Sequence, residues 1–358
     1  MLDRLFTHCM IQPGDIPASS DTMRVIGTFN PGAAAYGDGV VLLVRVVEQP
    51  VETRPGYIAS PRIDPDRGVV IDWLDEKEYH AQDPRQVTHK KSGAARLRFL
   101  SYLKIIHSTD GRTADDFTGP VIAPHGPNET YGIEDPRITK IASTYYVTYV
   151  AVSPFGIATG LLSTTDFATF RRHGLIFCPE NKDVVLFPEK VMDEYVALHR
   201  PSGSVRFRPP EVWLARSPDL IHWGTHARLL GCGSTDGLAD RIGAGTPPIR
   251  TREGWLMIYH QSDKAKQNDV AGIYSGYAML LDLDNPAKII GRSREPVIKP
   301  AETFEKEGFL GGVVFPTGIV EQGDNVLVYY GAADESVGVT AFSREALIGS
   351  LSTVTGSG

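Results

Sequence analysis

Residues 136–152, PRITKIASTYYVTYVAV, run from a proline through a short apolar stretch and a turn at Ser143 into a second run dense in β-branched and aromatic side chains. That order reads as a β-hairpin. The proline opens the first strand, where no ladder donor is lost, and the turn feeds the second. The same arrangement recurs. Apolar runs begin at Gly39 (GVVLLVRVV), Glu194 (EYVALHRP), Gly254 (GWLMIYHQ) and Asn325 (NVLVYYGA), as well as at Thr144. Pro31 precedes Arg45 by 14 residues, Pro136 precedes Tyr149 by 13, Pro188 precedes Arg200 by 12, Pro248 precedes His260 by 12 and Pro316 precedes Tyr329 by 13.

A weaker repeat accompanies it. HSTDGRTADDF from His107, LSTTDFATF from Leu162 and ARSPDLIHW from Ala215 each place Ser shortly before Asp and then an aromatic, the pattern of a turn between outer strands. Five hairpins with outer strands make five units. The proline gaps of 105, 52, 60 and 68 residues suit about four strands per unit. The expected fold is all-β, a five-bladed β-propeller, in which radial repetition protects the strand edges. A β-sandwich followed by a second domain is the alternative that five matched hairpins disfavour.

The first gap is too long by some forty to fifty residues. Its excess falls between Pro50 and Gly93, rich in Pro, Asp and charge, and reads as an insertion or lid on one face. No linker or low-complexity block divides the chain, so residues 1–358 are expected to form one domain. An insertion of that size could equally be a subunit contact in a homo-oligomer.

Composition agrees with a globular chain. Of 358 residues, 42% are hydrophobic and 22% charged, which excludes global disorder and a coiled coil. Gly (36) and Pro (25) are abundant, the punctuation of many short strands. The net charge of −7 excludes a nucleic-acid partner unless basic residues cluster locally. Cys9, Cys178 and Cys232 are odd in number and far apart, which reads as reduced thiols. With no signal-like start and no apolar run of membrane-spanning length, the expectation is a cytoplasmic protein without membrane contact.

The residues immediately before the five prolines are Asn30, Asp135, Phe187, Pro247 and Phe315; one is acidic. Asp135, in YGIEDPRI beside Glu134 and Arg137, reads either as a turn cap before Pro or as a proton donor fixed by a rigid neighbour. The second strands supply cations: Arg45 in LLVR, His199 and Arg200 in VALHR, His260 in MIYH. Lys182 precedes the third proline. Singly each is an ordinary surface charge or core histidine. At equivalent repeat positions of an acidic chain they make an anion site.

Nine ordered segments, NPGAA, YGIEDPRIT, NKDVVLFPEK, HRP, SPDLIHWG, RIGAGTPPI, GWLMIYH, VVFPTG and YYGAADE, together resemble glycoside hydrolase family 130, the β-mannoside phosphorylases and β-mannosidases. The resemblance covers about residues 28–342 except the Pro50–Gly93 insertion, and implies a five-bladed β-propeller. It implies Asp135 as general acid, its proton passing through a sugar hydroxyl in the phosphorylases. It further implies Lys182, Arg200 and His260 as phosphate-binding, and Arg45, Glu134 and Asp334 as substrate-binding. Gln261 departs from the family's Gly after the YH pair and bears on the acceptor side.

An inverting hydrolase needs a second carboxylate roughly 6.5–9.5 Å from the acid to activate water, and Glu189, Glu211 and Asp240 are candidates. A phosphorylase needs cations instead, because its nucleophile arrives charged. The expected reaction is phosphorolysis of terminal β-mannosides with inversion, giving α-mannose 1-phosphate and a shortened sugar. The partners are the β-mannoside oligosaccharide and phosphate; no metal or other cofactor is expected, since neither metal-ligand spacing nor a P-loop appears. The alternatives are an inverting β-mannosidase and a non-catalytic carbohydrate-binding propeller. A fructosidase-like or arabinanase-like enzyme would need three channel carboxylates. Linkage and acceptor stay open at this level.

Overall fold

The structure is a computed structural model that describes residues 2–203, 207–232, 239–263 and 272–354. It is all-β, and the α-helices among the described residues are two short segments, Thr303–Lys306 and Arg344–Gly349. None is long and apolar enough to cross a membrane.

The strands group into five successive antiparallel units, the first two joined as one sheet by a parallel pairing of Gly132 with Ser101. The first contains Met23–Tyr36, Gly39–Pro50 and Leu100–Ser108, with Val121–Ile122 at its edge. The second runs through Gly132–Ile141, Thr144–Ser153, Gly156–Thr164 and Arg171–Phe177. The third runs through Asn181–Leu186, Tyr195–Pro201, Val212–Ser217 and Gly224–Leu230. The fourth contains Ala239–Ala244, Trp255–Asp263, Tyr274–Leu281 and Ile289–Arg292. The fifth contains Val314–Gln322, Asn325–Ala332 and Ser336–Ser343, and its outer strand comes from the other end of the chain, Phe6–Ile11.

The cores lie between these units. One apolar cluster joins the first and second units through Leu43, Leu103, Ile133 and Val147. Others join second to third (Leu161, Leu186), third to fourth (Leu198, Trp255), fourth to fifth (Ile258, Val328) and fifth back to first (Leu327, Val44). A strand packed on both faces has no polar side to present, which is why GVVLLVRVV reads as a continuous apolar run and not as an alternation.

The prolines sit differently from the sequence expectation. Pro31, Pro136 and Pro316 do not open their strands but lie inside them, at register shifts between Phe29 and Gly32, Glu134 and Arg137, and Pro316 and Gly318. A β-bulge leaves residues unpaired, so Pro31 and Pro136, which lie in those positions, cost no ladder bond; in the fifth unit the unpaired residue is Thr317, and Pro316 lies opposite Tyr330. In the third unit the bulge falls between Lys182 and Val185, and Pro188 lies beyond the strand's end.

The Ser/Asp segments are turns between outer strands. The Asp166 carboxylate accepts from the backbone N–H groups of Ala168 and Thr169, and Asp219 does the same for Ile221 and His222. Asp110 accepts from Arg112 and Thr113. The fourth unit has an equivalent that its sequence conceals: in LDLDNP, Asp282 accepts from Asp284 and Asn285.

The insertion folds as a hairpin, Tyr57–Asp64 with Gly68–Asp75, and a small sheet of Tyr79–His80, Gln86–His89 and Ala95–Leu97. Asp72 on the hairpin binds Arg96 on the small sheet, and the Ile63 N–H donates to the Thr130 carbonyl of the second unit.

Because the N-terminal strand completes the fifth unit, and Arg4 pairs with the fully buried Glu305 at 2.7 Å, deleting residues 2–11 removes a strand and takes the counter-charge from a buried acid, which keeps its hydrogen bonds from Tyr330, Ala301 and Glu302. The expected result is a fall of about 10 °C or more in Tm by calorimetry, or loss of soluble protein. A fall of a degree or two would show that the fifth unit is stable without it.

Candidate active site

The bulges place the chemistry. Asn30, Asp135 and Asp183, on the first strands of the first three units, have φ of 50°, 48° and 57°, and Asp334 in the turn after Asn325–Ala332 has 51°. A non-glycine residue in this left-handed region is strained, Asn and Asp least so, and such strain gathers at functional sites. Here it turns short polar side chains out of the sheet toward one another. The Asn30 Nδ2 donates to Asp135 Oδ1 at 2.8 Å. Opposite them, a Cβ on Gly331 would lie 1.8 Å from the Asn30 Oδ1, so a side chain at the first residue of GAAD would displace the Asn30 amide from Asp135.

Asn30, Asp135 and Asp334 border a cavity of about 270 Å³ whose polar lining also includes Arg45, Glu134 and Lys182. Arg45 lies in the middle of its strand, Gly39–Pro50. Its guanidinium donates to Glu134 Oε1 at 2.7 Å, to Asp135 Oδ1 at 3.0 Å and to Ser101 Oγ at 3.3 Å, with Phe29 and Phe99 against its face.

One buried arginine between two carboxylates divides them. Burial works to raise the Asp135 pKa, but Arg45, Lys182 and Arg137 outweigh it and hold the carboxyl at about 2. Burial dominates at Glu134, against Arg45, and raises it. Burial also pushes Asp334 up to about 6, against the pull of Arg45 and Arg85.

The cations form the second half of the site. The Lys182 Nζ stands 3.7 Å from Asp135 Oδ2 with its side chain a quarter exposed, so it faces both the acid and the cavity. Arg200 and His260 come together behind it: Arg200 NH1 and His260 Nε2 are 3.2 Å apart. Burial lowers the His260 pKa to about 4, against the opposing effect of Asp183, leaving a neutral imidazole at pH 7. His199 plays no part here. The pleat turns it to the opposite face from Arg200, where it stacks on Phe177 and meets the Asn181 amide.

The sequence reading missed three contributors. Asp183 is fully buried between Arg200 NH1 at 2.9 Å, His260 Nε2 at 3.3 Å and Arg137 NH2 at 3.9 Å. Arg137 also donates to the carbonyls of Asp135 (2.6 Å) and Gly245 (2.8 Å), and so ties the acid's bulge to the cation cluster. The insertion contributes Arg85, held in a two-pronged pair by Asp83 (2.9 and 2.8 Å), and both line the cavity. Their only sequence signal was a buried-type acid inside NKDVV and a charge-rich insertion. Gly243 of RIGAG explains its own identity: a Cβ there would lie 2.3 Å from Asp183 Oδ2 and 2.5 Å from the His260 ring.

Glu189, Glu211 and Asp240, the acids nominated as water-activating bases, do not line the cavity. Glu189 pairs with Arg250, Asp240 with Arg241, and Glu211 with Arg228 and the Cys232 N–H. Gln261 is buried in its strand, with its Nε2 3.4 Å from Asp263 Oδ1. No group of three or more His, Cys, Asp or Glu suited to a metal ion occurs among the described residues.

The raised Asp334 has a stability consequence. Its folded carboxyl keeps a proton up to about pH 6, so the folded state is favoured on the acid side and that contribution is lost as pH rises from about 4 through 6. Asp334→Asn is expected to flatten this dependence and to raise stability at pH 7 by roughly 1–3 kcal/mol, while activity falls. An unchanged pH profile of Tm would show that Asp334 is not held protonated.

A family profile described as beta-1,4-mannooligosaccharide phosphorylase, of glycoside hydrolase family 130, matches residues 95–352. The chain is 39% identical to a beta-1,2-mannobiose phosphorylase of Listeria innocua, over 92% of each chain. It is 37% identical to a 1,2-beta-oligomannan phosphorylase of a Thermoanaerobacter species, over 70% of this chain and 80% of that one. Among solved structures, the Listeria innocua enzyme with beta-1,2-mannobiose superposes with a TM-score of 0.87 at 38% identity, covering 95% of this chain and 96% of that one.

Proposed function

The chain belongs to glycoside hydrolase family 130, and from that premise we propose that it catalyses the inverting phosphorolysis of terminal β-D-mannosides to α-D-mannose 1-phosphate and a shortened sugar. β-1,2-Linked manno-oligosaccharides are the first substrates to test, since the relatives matched over most of their length are named for them.

One observation carries the choice of phosphate over water. Three buried nitrogens, Arg200 Nε, His260 Nδ1 and Arg137 NH2, have no hydrogen-bond partner among the described residues. They cluster behind Lys182, which reaches both the cavity and the acid. Buried arginine donors left unpaired cost about 1–3 kcal/mol each, and an oxyanion would satisfy Arg200 Nε and Arg137 NH2; His260 Nδ1 joins them in the tautomer whose Nε2 accepts from Arg200 NH1. The acids nominated as hydrolytic bases are engaged elsewhere, which supports the same reading.

In this reading a phosphate oxygen attacks the mannosyl C1 from the face opposite the leaving group, the C1–O bond breaks, and the leaving oxygen takes a proton that originates on Asp135. At about 2, Asp135 is ionised in the free protein. An arriving phosphate dianion neutralises Lys182 and so withdraws one of the charges that hold Asp135 ionised, favouring the protonated acid when the nucleophile is in place. Arg45 and Asn30 fix the carboxyl's direction; Glu134 and Asp334 offer acceptors to the sugar hydroxyls.

The five units support a five-bladed propeller, because the interunit cores run in a cycle from first to fifth and back to first. The insertion, contributing Asp83 and Arg85 to the cavity, belongs with the acceptor side of the same domain. A cytoplasmic setting, with reduced cysteines and abundant phosphate, suits the chemistry. The test is the synthetic direction: α-D-mannose 1-phosphate with mannose should release phosphate and form a disaccharide, while the β-phosphate should be inert. No phosphate release from the α-anomer would count against the proposal.

A further inference from the structure

Arg137 and Arg200 converge on Asp183 with Lys182 next to it in sequence, and a bare cluster of cations of that kind would be costly to bury before any anion arrived. Asp183 prevents this. It is fully buried, its Oδ2 is 2.9 Å from Arg200 NH1 and 3.3 Å from His260 Nε2, and its Oδ1 is turned toward Arg137 NH2 at 3.9 Å. The surroundings are shaped around it, with a left-handed backbone at Asp183 and a glycine at 243 that leaves room for its oxygen. Yet the two arginines keep donors to spare: Arg200 Nε and Arg137 NH2 are unpartnered among the described residues.

From this geometry we infer that Asp183 is a positioning residue and resident counter-anion, which holds Arg200 and His260 in place and shares them with the incoming phosphate, so limiting how tightly phosphate is held. The inference rests on the phosphate reading of the site. Its physical content is a repulsion: two anions on one set of cations each weaken the other's binding. For a reversible enzyme that is useful, because the product, a sugar phosphate, is an anion on the same cations and must leave.

Asp183→Asn keeps the shape and one acceptor for Arg200 while removing the charge. With inorganic phosphate as the calorimetric probe, its Kd should fall on the order of tenfold relative to wild type. Phosphate should raise its Tm by more than it raises that of wild type. In kinetics with β-1,2-mannobiose, the phosphate KM and kcat should fall together, as release of α-mannose 1-phosphate slows. A merely structural role would lower Tm and leave anion affinity unchanged or weaker, and that result overturns the inference.

Should Asp183→Asn not fold, the paired variant Arg200→Gln with Asp183→Asn removes both charges. It should be more stable than Arg200→Gln alone, which strands a buried carboxylate. A double variant no more stable than the single one would also overturn the inference. Failure of wild type to bind phosphate at all, with the double variant rescued, would instead sink the phosphate reading and leave Asp183 as a counter-charge.

Discussion

Asp135→Asn is expected to lower kcat for β-1,2-mannobiose by about 10³-fold, within the range of a lost general acid, while the protein stays folded. The amide oxygen can still accept from Asn30 Nδ2 and Arg45 NH1, which hold Asp135 Oδ1 at 2.8 and 3.0 Å. What disappears is the proton. Binding of the disaccharide, read by calorimetry, should change by no more than several-fold, because Asp334, Glu134 and Arg45 remain. The opposite pattern, near-normal kcat with weakened binding, would move Asp135 from acid to sugar ligand.

The second large effect is Arg200→Gln. Charge-assisted hydrogen bonds contribute about 1.5–3 kcal/mol each, so losing this guanidinium should raise the phosphate KM by on the order of 100-fold. The KM for the mannoside should move little, since Arg200 lies behind Lys182 and outside the cavity lining. Stability should drop too. Asp183, fully buried, loses its 2.9 Å partner, and breaking a buried pair costs about 3–5 kcal/mol. Equal rises in both KM values would mean that the cluster supports the fold without receiving phosphate.

How far the sequence carried the fold depended on local signals. Thr144–Ser153 and Gly39–Pro50 are legible because strands buried on both faces leave long apolar runs. The turns at Asp166 and Asp219 are legible because a short carboxylate closes onto N–H groups two and three residues on. Proline position is less so: a proline is compatible with both a strand's start and a bulge within it, and only the pairing distinguishes them.

At the site, the motif resemblance singled out Asp135, Lys182, Arg200 and His260, and the fold connects the Asp135–Lys182 pair to Arg200 and His260 through Arg137 and Asp183. Asp183 escaped notice because an acid beside a lysine usually signals a solvated turn; its meaning comes from Arg137, Arg200 and His260, each on a different strand. Arg85 escaped for a similar reason. Nothing in its neighbourhood of charged residues says that the insertion folds back over the cavity, about forty residues from Arg45 in sequence and against the same space.

The most direct measurement of the central claim is a time course of β-1,2-mannobiose with the protein in the presence and absence of inorganic phosphate, followed by proton and phosphorus NMR. Phosphorolysis with inversion predicts α-mannose 1-phosphate and mannose in equal amounts with phosphate, and negligible cleavage without it. Release of free mannose from both halves of the disaccharide at the same rate without phosphate would contradict it and make the protein a hydrolase.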